Sequence, residues 1–189
     1  MPQTDFVDLV LSQWTAECPG QDFSSMAVIT RLFRLNAFAT RNVNCGFRQH
    51  QLNQGEFDVL ATLYRCGPPY AMNPQKLVAA LLLTSGAMTN RLDRLEQAGL
   101  LARNPNPEDR RGTIVSLTVD GLRTIRAVLK DYLKNLEQLL EPLGAAERRQ
   151  LAGLLKKLLI NHDRKRPAAW TPERRRPRPI RFFPCRTPP

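Results

Sequence analysis

The chain has 189 residues, of which 42% are apolar, and a formal net charge of +11. This length suits one well-cored domain, or a domain that shares part of its core with a partner, and is short for two independent domains. No stretch offers the roughly 18 to 20 apolar residues of a membrane helix, and the acidic start lacks the basic region of a secretory signal. We therefore expect a cytoplasmic protein without a membrane partner.

The positive charge is concentrated near the end of the chain. Nine of the 28 Lys and Arg residues lie in 161–189 beside two acidic residues, which leaves a net charge of +4 for residues 1–160. The same segment holds seven of the 15 prolines and few aliphatic residues, a composition typical of disorder. It could attract phosphates nonspecifically or be a dispensable extension.

The cysteines and histidines do not form the spacing of a metal site. Cys18, Cys45, Cys66 and Cys185 contain no CxxC pair, so the sequence predicts neither a zinc site nor a disulfide framework. The sequence has no glycine-rich phosphate loop and no GxSxG motif, and His50 lies among polar residues, as a surface side chain would. We expect no metal, no cofactor and no catalytic activity.

The first part of the chain predicts three helices. The first is marked by apolar residues at helical spacing, with Thr4 as the expected cap and Asp5 as an acidic residue of the first turn. After Pro19 and Gly20, a second helix is expected over about 24–42. Its side chains expected to face inward are Met26, Ile29, Leu32, Phe33 and Phe38. A capping-box pattern at residues 53–56 then predicts a third helix over about 54–65.

The segment between Asn73 and Gly99 is the most informative. Asn73 and Pro74 are typical of the start of a short helix, and Thr84 caps a further helix that Gly99 ends. Two short helices joined by a tight turn form the helix-turn-helix pattern.

The rest of the pattern predicts a hairpin and two more helices. The hairpin is formed by about 100–103 and 113–118, with a polar, charged tip. Leucine-rich helices are expected over about 119–142 and 145–160. Their apolar stripes are longer than a small domain made of the helix-turn-helix and the hairpin can cover. We therefore assign these helices to a dimer interface built with the N-terminal helices. A purely intramolecular bundle is the alternative.

These elements define the expected fold class and its parts. The chain should be mainly α with a small β-hairpin wing: a winged helix-turn-helix with a helical dimerisation domain. Residues 1–52 supply the N-terminal helices and 53–118 the DNA-binding domain. Residues 119–160 supply the C-terminal dimerisation helices, and 161–189 form the basic, proline-rich tail.

The helix from Ser85 to Gln97 has two distinct faces. On a helical wheel Met88, Leu92 and Leu95 form a buried side. Short polar residues near a helix N-terminus can approach a phosphate or a base edge, and Asn and Arg can read adenine and guanine. Arginines at the hairpin tip could reach the minor groove of DNA beside the major groove that the helix occupies. An aspartate could fix one of these arginines through a charge-assisted hydrogen bond. The predicted DNA contacts are Ser85, Gly86, Thr89, Asn90, Arg94, Asp109, Arg110 and Arg111.

Three stretches of this sequence resemble the MarR family. They are EFDVLATLY at 56–64, LTSGAMTNRLDRLE at 83–96 and DRRGTIVSLT at 109–118, within a match over about residues 5–160. Asp109 and Arg111 form the most specific mark. The resemblance implies a homodimer that represses at a pseudopalindromic operator until a small ligand or an oxidant releases it. It also implies that Arg111 enters the minor groove.

The additional N-terminal helix bearing Trp14 resembles the urate-responsive PecS-like branch of this family. That resemblance implies a ligand site in which Trp14, Asp58, Arg91 and Arg103 bind urate or a related purine or phenolic anion, with residues 1–52 contributing to it. Our hypothesis is that urate stacks on Trp14, attracts the two arginines and repels Asp58. It would thereby displace the helix from Ser85 to Gln97, which we call the recognition helix. Alternatively, Asp58 and Arg91 form a structural ion pair, and Trp14 belongs to the core.

Two other functional classes stay open. A thiol-based, redox-sensing regulator of the same fold would use Cys45 or Cys66, although buried or incidental thiols are the simpler interpretation. An architectural or RNA-binding protein would depend on the basic tail rather than on Arg111.

Overall fold

The computed structural model describes residues 4–105 and 112–165, with side chains described as far as residue 162. Its elements within those ranges are α1 (Phe6–Glu17), α2 (Ser24–Gln49), α3 (Gln54–Arg65), β1 (Ala71–Met72), α4 (Pro74–Leu81), α5 (Ser85–Gln97), β2 (Leu101–Pro105), β3 (Thr113–Leu117), α6 (Val119–Leu139) and α7 (Ala145–Lys165). The mainly helical fold with a small β wing is confirmed. No described helix has the length and apolarity needed to cross a bilayer.

Local side-chain caps fix most of the predicted helix starts. The Asn53 side chain accepts a hydrogen bond from the Glu56 N–H at 3.0 Å, and the Glu56 carboxylate accepts one from the Asn53 N–H at 2.9 Å. These two bonds satisfy donors that the first turn of α3 leaves free. Thr84 and Thr118 cap α5 and α6 in the same general way. Gly99 follows α5 with φ +70°, a conformation that favours glycine.

Several elements differ from the prediction. α2 continues to Gln49, because Val43 and Phe47 extend its apolar face onto the core. β1 was not predicted; it pairs antiparallel with β3 and gives the sheet the order β1-β3-β2. A two-residue strand leaves no alternation in the sequence, so its pairing is visible only in three dimensions. α7 extends to Lys165, into the segment assigned to the tail.

The core joins α2 and α6 to the helix-turn-helix. The Phe47 and Phe57 ring centroids lie 4.4 Å apart, and Tyr132 of α6 stacks 5.9 Å from Phe47. The start of α6 lies directly against the sheet, since a Cβ on Gly121 would stand 1.9 Å from the Leu100 carbonyl oxygen. The other large, fully buried side chains come from α1, α3, α4, α5, β3 and α6: Val7, Val59, Leu60, Leu63, Leu77, Met88, Leu95, Val115, Ile125 and Val128.

Part of the predicted inward face of α2 is exposed in the single chain. Ile29, Phe33 and Phe38 are 45%, 71% and 52% exposed, so the expectation that they face inward is wrong for one copy of the chain. α2 packs on α1, α3 and α6 through other side chains. α7, which belongs to a separate unit, also carries exposed Leu154 and Leu158.

Charged contacts hold α1 against α2. The prediction that Thr4 caps α1 is wrong: Asp5 is the cap, in a reciprocal capping box with Asp8, because its side chain accepts hydrogen bonds from the Val7 and Asp8 N–H groups. The Arg31 guanidinium binds the Asp5 carboxylate at 2.8 Å and also pairs with Asp8. The hydrogen bond from Arg31 lowers the pKa of Asp5. Arg34 adds a cation–π contact, 4.5 Å from the centroid of the Phe6 ring.

We expect Arg31→Gln to loosen α1. Since Arg31 lowers the folded-state pKa of Asp5, its stabilising contribution is present above the unfolded-state pKa and is lost as pH falls through the folded-state pKa. Hydrogen–deuterium exchange of α1 amides should therefore be faster in the variant at pH 7, and the difference should shrink once Asp5 is protonated. Equal exchange at pH 7 would contradict this account of how α1 is held.

Candidate nucleic-acid interface and adjoining cavity

α5 buries one face and presents the other to solvent. Met88, Leu92 and Leu95 are 1%, 3% and 1% exposed, as predicted. The opposite face carries short polar groups and one long cation, and nothing lies within 4 Å of the space where Gly86 would carry a Cβ. The predicted contacts on α5 are all exposed: Ser85, Gly86, Thr89, Asn90 and Arg94. A helix with this accessible N-terminal half fits the major groove.

A buried carboxylate lies behind the exposed arginine of this face. Glu56 is 7% exposed, and one of its oxygens stands 3.9 Å from an Arg94 guanidinium nitrogen. The Arg94 side chain itself is 71% exposed. Glu56 thus attracts one terminal nitrogen of the Arg94 guanidinium, while most of the Arg94 side chain stays accessible.

Arg103 on β2 links the wing to α5. Its guanidinium lies 2.6 Å from an Asp93 carboxylate oxygen and 2.9 Å from a Glu96 carboxylate oxygen. Its backbone N–H also donates to Glu96 at 3.2 Å. Charge-assisted bonds to two points on one helix restrain both distance and orientation. The wing-tip residues predicted to contact DNA, Asp109, Arg110 and Arg111, lie outside the described residues.

We expect Arg103→Gln to weaken binding to double-stranded DNA, because the wing loses its link to α5. The ion pairs are partly exposed, so the cost should be about 1 kcal/mol, or roughly five-fold in Kd. Fluorescence anisotropy with labelled operator DNA would measure it. Lys134→Gln, in the C-terminal half of α6, removes the same charge and is the matched control. Equal losses in both variants would indicate a general charge effect instead.

A cavity of about 310 Å³ opens between α3 and α6. Its walls are mainly apolar and aromatic, and its charged side chains come from α3. The residues that matter most for its chemistry are Phe57, Asp58, Tyr64, Arg65 and Tyr132. Small-molecule sites commonly have about 300 to 1,000 Å³ and this mixture of apolar walls with few polar groups.

Asp58 is the half-buried acid of this cavity. Burial raises the pKa of its carboxyl group, and the nearby positive charges of Arg91 and Arg65 offset part of that increase. Desolvation thus dominates over attraction, and the carboxylate carries an energetic penalty when ionised. A second anion placed beside it would increase this penalty.

Arg91 connects α5 with the start of α3. Its guanidinium donates a hydrogen bond to the Gly55 carbonyl at 3.3 Å. A Cβ on Gly55 would lie 2.5 Å from the guanidinium carbon, so glycine at this position leaves room for Arg91. Sequence reasoning missed Gly55, because nothing in its local pattern shows that a side chain 36 residues away approaches it.

The four predicted ligand residues are brought together only in part. Asp58 and Arg91 interact electrostatically. Arg103 is bound to Asp93 and Glu96, and Trp14 on α1 is 45% exposed, with its ring 6.2 Å from Phe23. Trp14, Arg91 and Arg103 do not line the cavity that contains Asp58.

A tyrosine pair joins the cavity wall to the sheet. Tyr64 lines the cavity and stacks on Tyr70, with centroids 5.7 Å apart. The Tyr70 carbonyl accepts a hydrogen bond from the Leu117 N–H at 3.1 Å, and interactions with the two phenols raise the pKa of Arg126 on α6. The sequence signalled a helix end at residues 67–70, but not this contact.

Cys66 carries a thiol with a raised pKa, and His50 is paired with a carboxylate. Burial raises the pKa of the Cys66 thiol, which reduces the thiolate fraction that a redox sensor needs. His50, predicted as a surface residue, is half-buried, and its Nε2 lies 2.7 Å from an Asp131 carboxylate oxygen. No group of His, Cys, Asp and Glu among the described residues could hold a metal ion.

The exposed polar face of α5 and the adjoining three-stranded sheet define a winged helix-turn-helix, the architecture of a DNA-binding protein. The family model described as "MarR family" matches residues 52–113. The chain is 38% identical to the transcriptional regulator PecS of Dickeya dadantii (strain 3937), over 81% of this chain and 94% of PecS. It is 30% identical to MhqR of Bacillus subtilis (strain 168), over 71% of this chain and 88% of MhqR. The chain belongs to the MarR family.

Solved structures agree with this assignment. A cysteine-to-serine variant of MarR from E. coli, complexed with operator DNA, superposes with a TM-score of 0.61 at 29% identity, covering 74% of this chain and 99% of that one. AbsC from Streptomyces coelicolor shares the fold, with a TM-score of 0.66 at 23% identity, over 77% of this chain and 97% of AbsC. The protein is therefore a DNA-binding transcriptional regulator, and its named relatives are regulators rather than enzymes.

Proposed function

We propose that the protein is a homodimeric repressor that urate, or a related purine or phenolic anion, releases from a pseudopalindromic operator. The observation that carries this proposal is the double role of α5. Its outer face is exposed and polar, while its Arg91 reaches α3 and interacts with Asp58 of the cavity. A change in the charge of the cavity therefore acts on the helix that faces DNA.

The DNA-binding part of the proposal assigns one groove to each element. α5 enters the major groove, where Asn90 and Arg94 meet base edges and Ser85, Gly86 and Thr89 approach the backbone. The wing tip, with Asp109, Arg110 and Arg111, reaches the flanking minor groove. The likeness of this chain to a MarR variant solved in complex with operator DNA supports DNA binding by this fold.

Exposed apolar side chains support the homodimer. Single apolar residues on a surface are normal, but a large set on adjoining helices is typical of an interface. α1 and α2 pack together and both carry such side chains. The set on these two helices is Phe6, Leu9, Trp14, Val28, Ile29, Phe33, Leu35 and Phe38. A second copy of the chain would cover them and place two copies of α5 about one helical turn of DNA apart.

The ligand part of the proposal follows from charge. An anion entering the cavity is repelled by the Asp58 carboxylate and attracts Arg91 away from the Gly55 carbonyl. α5 then loses one of its tethers and leaves its DNA-binding position. Trp14 and Arg103 do not line the cavity, so in this proposal they contribute a stacking surface and a second attraction only after they move. Such coupling typically amounts to about 1 to 3 kcal/mol, so a partial release is sufficient.

A footprint on the DNA beside its own gene tests the function. We expect two protected half-sites with centres about 10 base pairs apart, because a two-fold dimer meets successive turns of the DNA helix.

Urate should weaken operator binding by about 5- to 150-fold in a gel-shift titration. Arg91→Ala and Trp14→Phe should lose that response. Unchanged affinity at millimolar urate would refute the urate effector, and a single protected half-site would refute the dimer.

Asp58→Asn tests the role assigned to the buried acid. Because the folded-state pKa of Asp58 is raised, its contribution to stability is present below the unfolded-state pKa and is lost as pH rises through the folded-state pKa. The variant should therefore gain stability over the wild type at pH 7 and lose that advantage at acid pH, as measured by urea unfolding. It should also respond less to urate.

Asp22→Asn is the matched control for this change. The hydrogen bond from the Ser24 N–H lowers the pKa of Asp22, so the sign is opposite and this variant should lose stability at pH 7. The same direction in both variants would contradict the burial of Asp58 as the cause.

A further inference from the structure

We infer that Arg65 is a further specificity-determining residue of the cavity, and that its guanidinium receives the anionic group of a planar aromatic ligand. The inference rests on the proposed function, in which an anion occupies the cavity beside Asp58. Arg65 was not among the ligand residues expected from the sequence.

The other two candidate arginines are already engaged. Arg103 binds Asp93 and Glu96, and to leave them it would have to break two ion pairs. Arg91 donates to the Gly55 carbonyl. Neither of these arginines lines the cavity, so each must move before it can contact a ligand there.

Arg65 is the cation that lines the cavity. It is the last residue of α3, it is exposed, and its charge lowers the pKa of Asp58 against the effect of burial. Within residues 4–105 and 112–162 it belongs to no ion pair. An exposed guanidinium at a cavity rim can bind a carboxylate or a urate-like anion without giving up an existing partner.

The aromatic walls define the rest of the ligand. Phe57, Tyr64 and Tyr132 contribute rings to a cavity of about 310 Å³. This volume is at the lower end of the range for small-molecule sites, about 300 to 1,000 Å³, and suits a molecule of one or two rings. Planar ligands stack on such walls. The chemical class is therefore a planar aromatic anion.

Arg65 has a structural alternative that does not involve a ligand. A basic residue in the last turn of a helix interacts favourably with the helix dipole, and Arg65 occupies that position in α3. The two roles differ in what they predict: a dipole contact affects stability in every condition, whereas a ligand contact affects ligand affinity.

Isothermal titration of the full chain with urate, and separately with salicylate, distinguishes these roles. We expect Arg65→Gln to weaken the binding of whichever anion the wild type binds by about ten-fold, the loss of one charge-assisted contact. Arg123→Gln removes the same charge from α6, where Arg123 pairs with Asp120, and should bind like the wild type. Equal binding by Arg65→Gln and the wild type would overturn the inference and leave the proposed function standing.

The remaining outcomes separate the inference from the identity of the effector. If the wild type binds salicylate but not urate, and Arg65→Gln loses this binding, the inference holds and the urate proposal fails. If the wild type binds neither anion, both fail.

A measurement on the wild type covers the case in which Arg65→Gln does not fold. The NMR signal of the Arg65 Nε–H group, assigned by its absence from Arg65→Lys, should shift as the anion saturates the site. A signal that stays in place while the anion binds would overturn the inference.

Discussion

The position of α5 depends on two kinds of contact that act on different faces. Met88, Leu92 and Leu95 anchor its underside in the core, where close packing leaves little freedom. The charged contacts of Arg91 and Arg103 fix how it meets α3 and the wing. The apolar anchor does not depend on ionic strength, whereas the charged contacts weaken as salt screens them. The apolar contacts therefore keep α5 in the core, while the strength of its charged contacts can change.

The electrostatics of the cavity follow from the same arrangement. A half-buried Asp58 lies near one guanidinium from α5 and one from α3, and desolvation outweighs their attraction. An acid that is already penalised by burial is sensitive to any charge added beside it. The Tyr64–Tyr70 stack connects the cavity wall to the residue before β1, whereas α5 acts on the cavity only through the charge of Arg91 on Asp58.

The single chain leaves a large part of its apolar surface uncovered. The side chains of Phe33 and Phe38 have the spacing of a core face, yet they are exposed. α2 thus closes the core of the winged domain through Phe47, and its other face stays exposed in the single chain. The proposed homodimer accounts for a helix that is apolar on more than one side.

The sequence by itself determined the features whose signals are local. The capping box at Asn53 and Glu56, the stop at Gly99 and the buried stripe of α5 were predicted because caps, turns and helical periodicity act over a few residues. The exposed face of α5 followed from the same periodicity.

Only the tertiary structure decided which distant groups meet. It paired β1 with β3, placed Arg91 against Gly55, engaged Arg103 with α5 and brought Arg65 to the cavity beside Asp58. None of these contacts has a periodic signature, since each depends on how elements far apart in the chain pack together. The charges could be read from the sequence, but their partners, and therefore their roles, are properties of the folded chain.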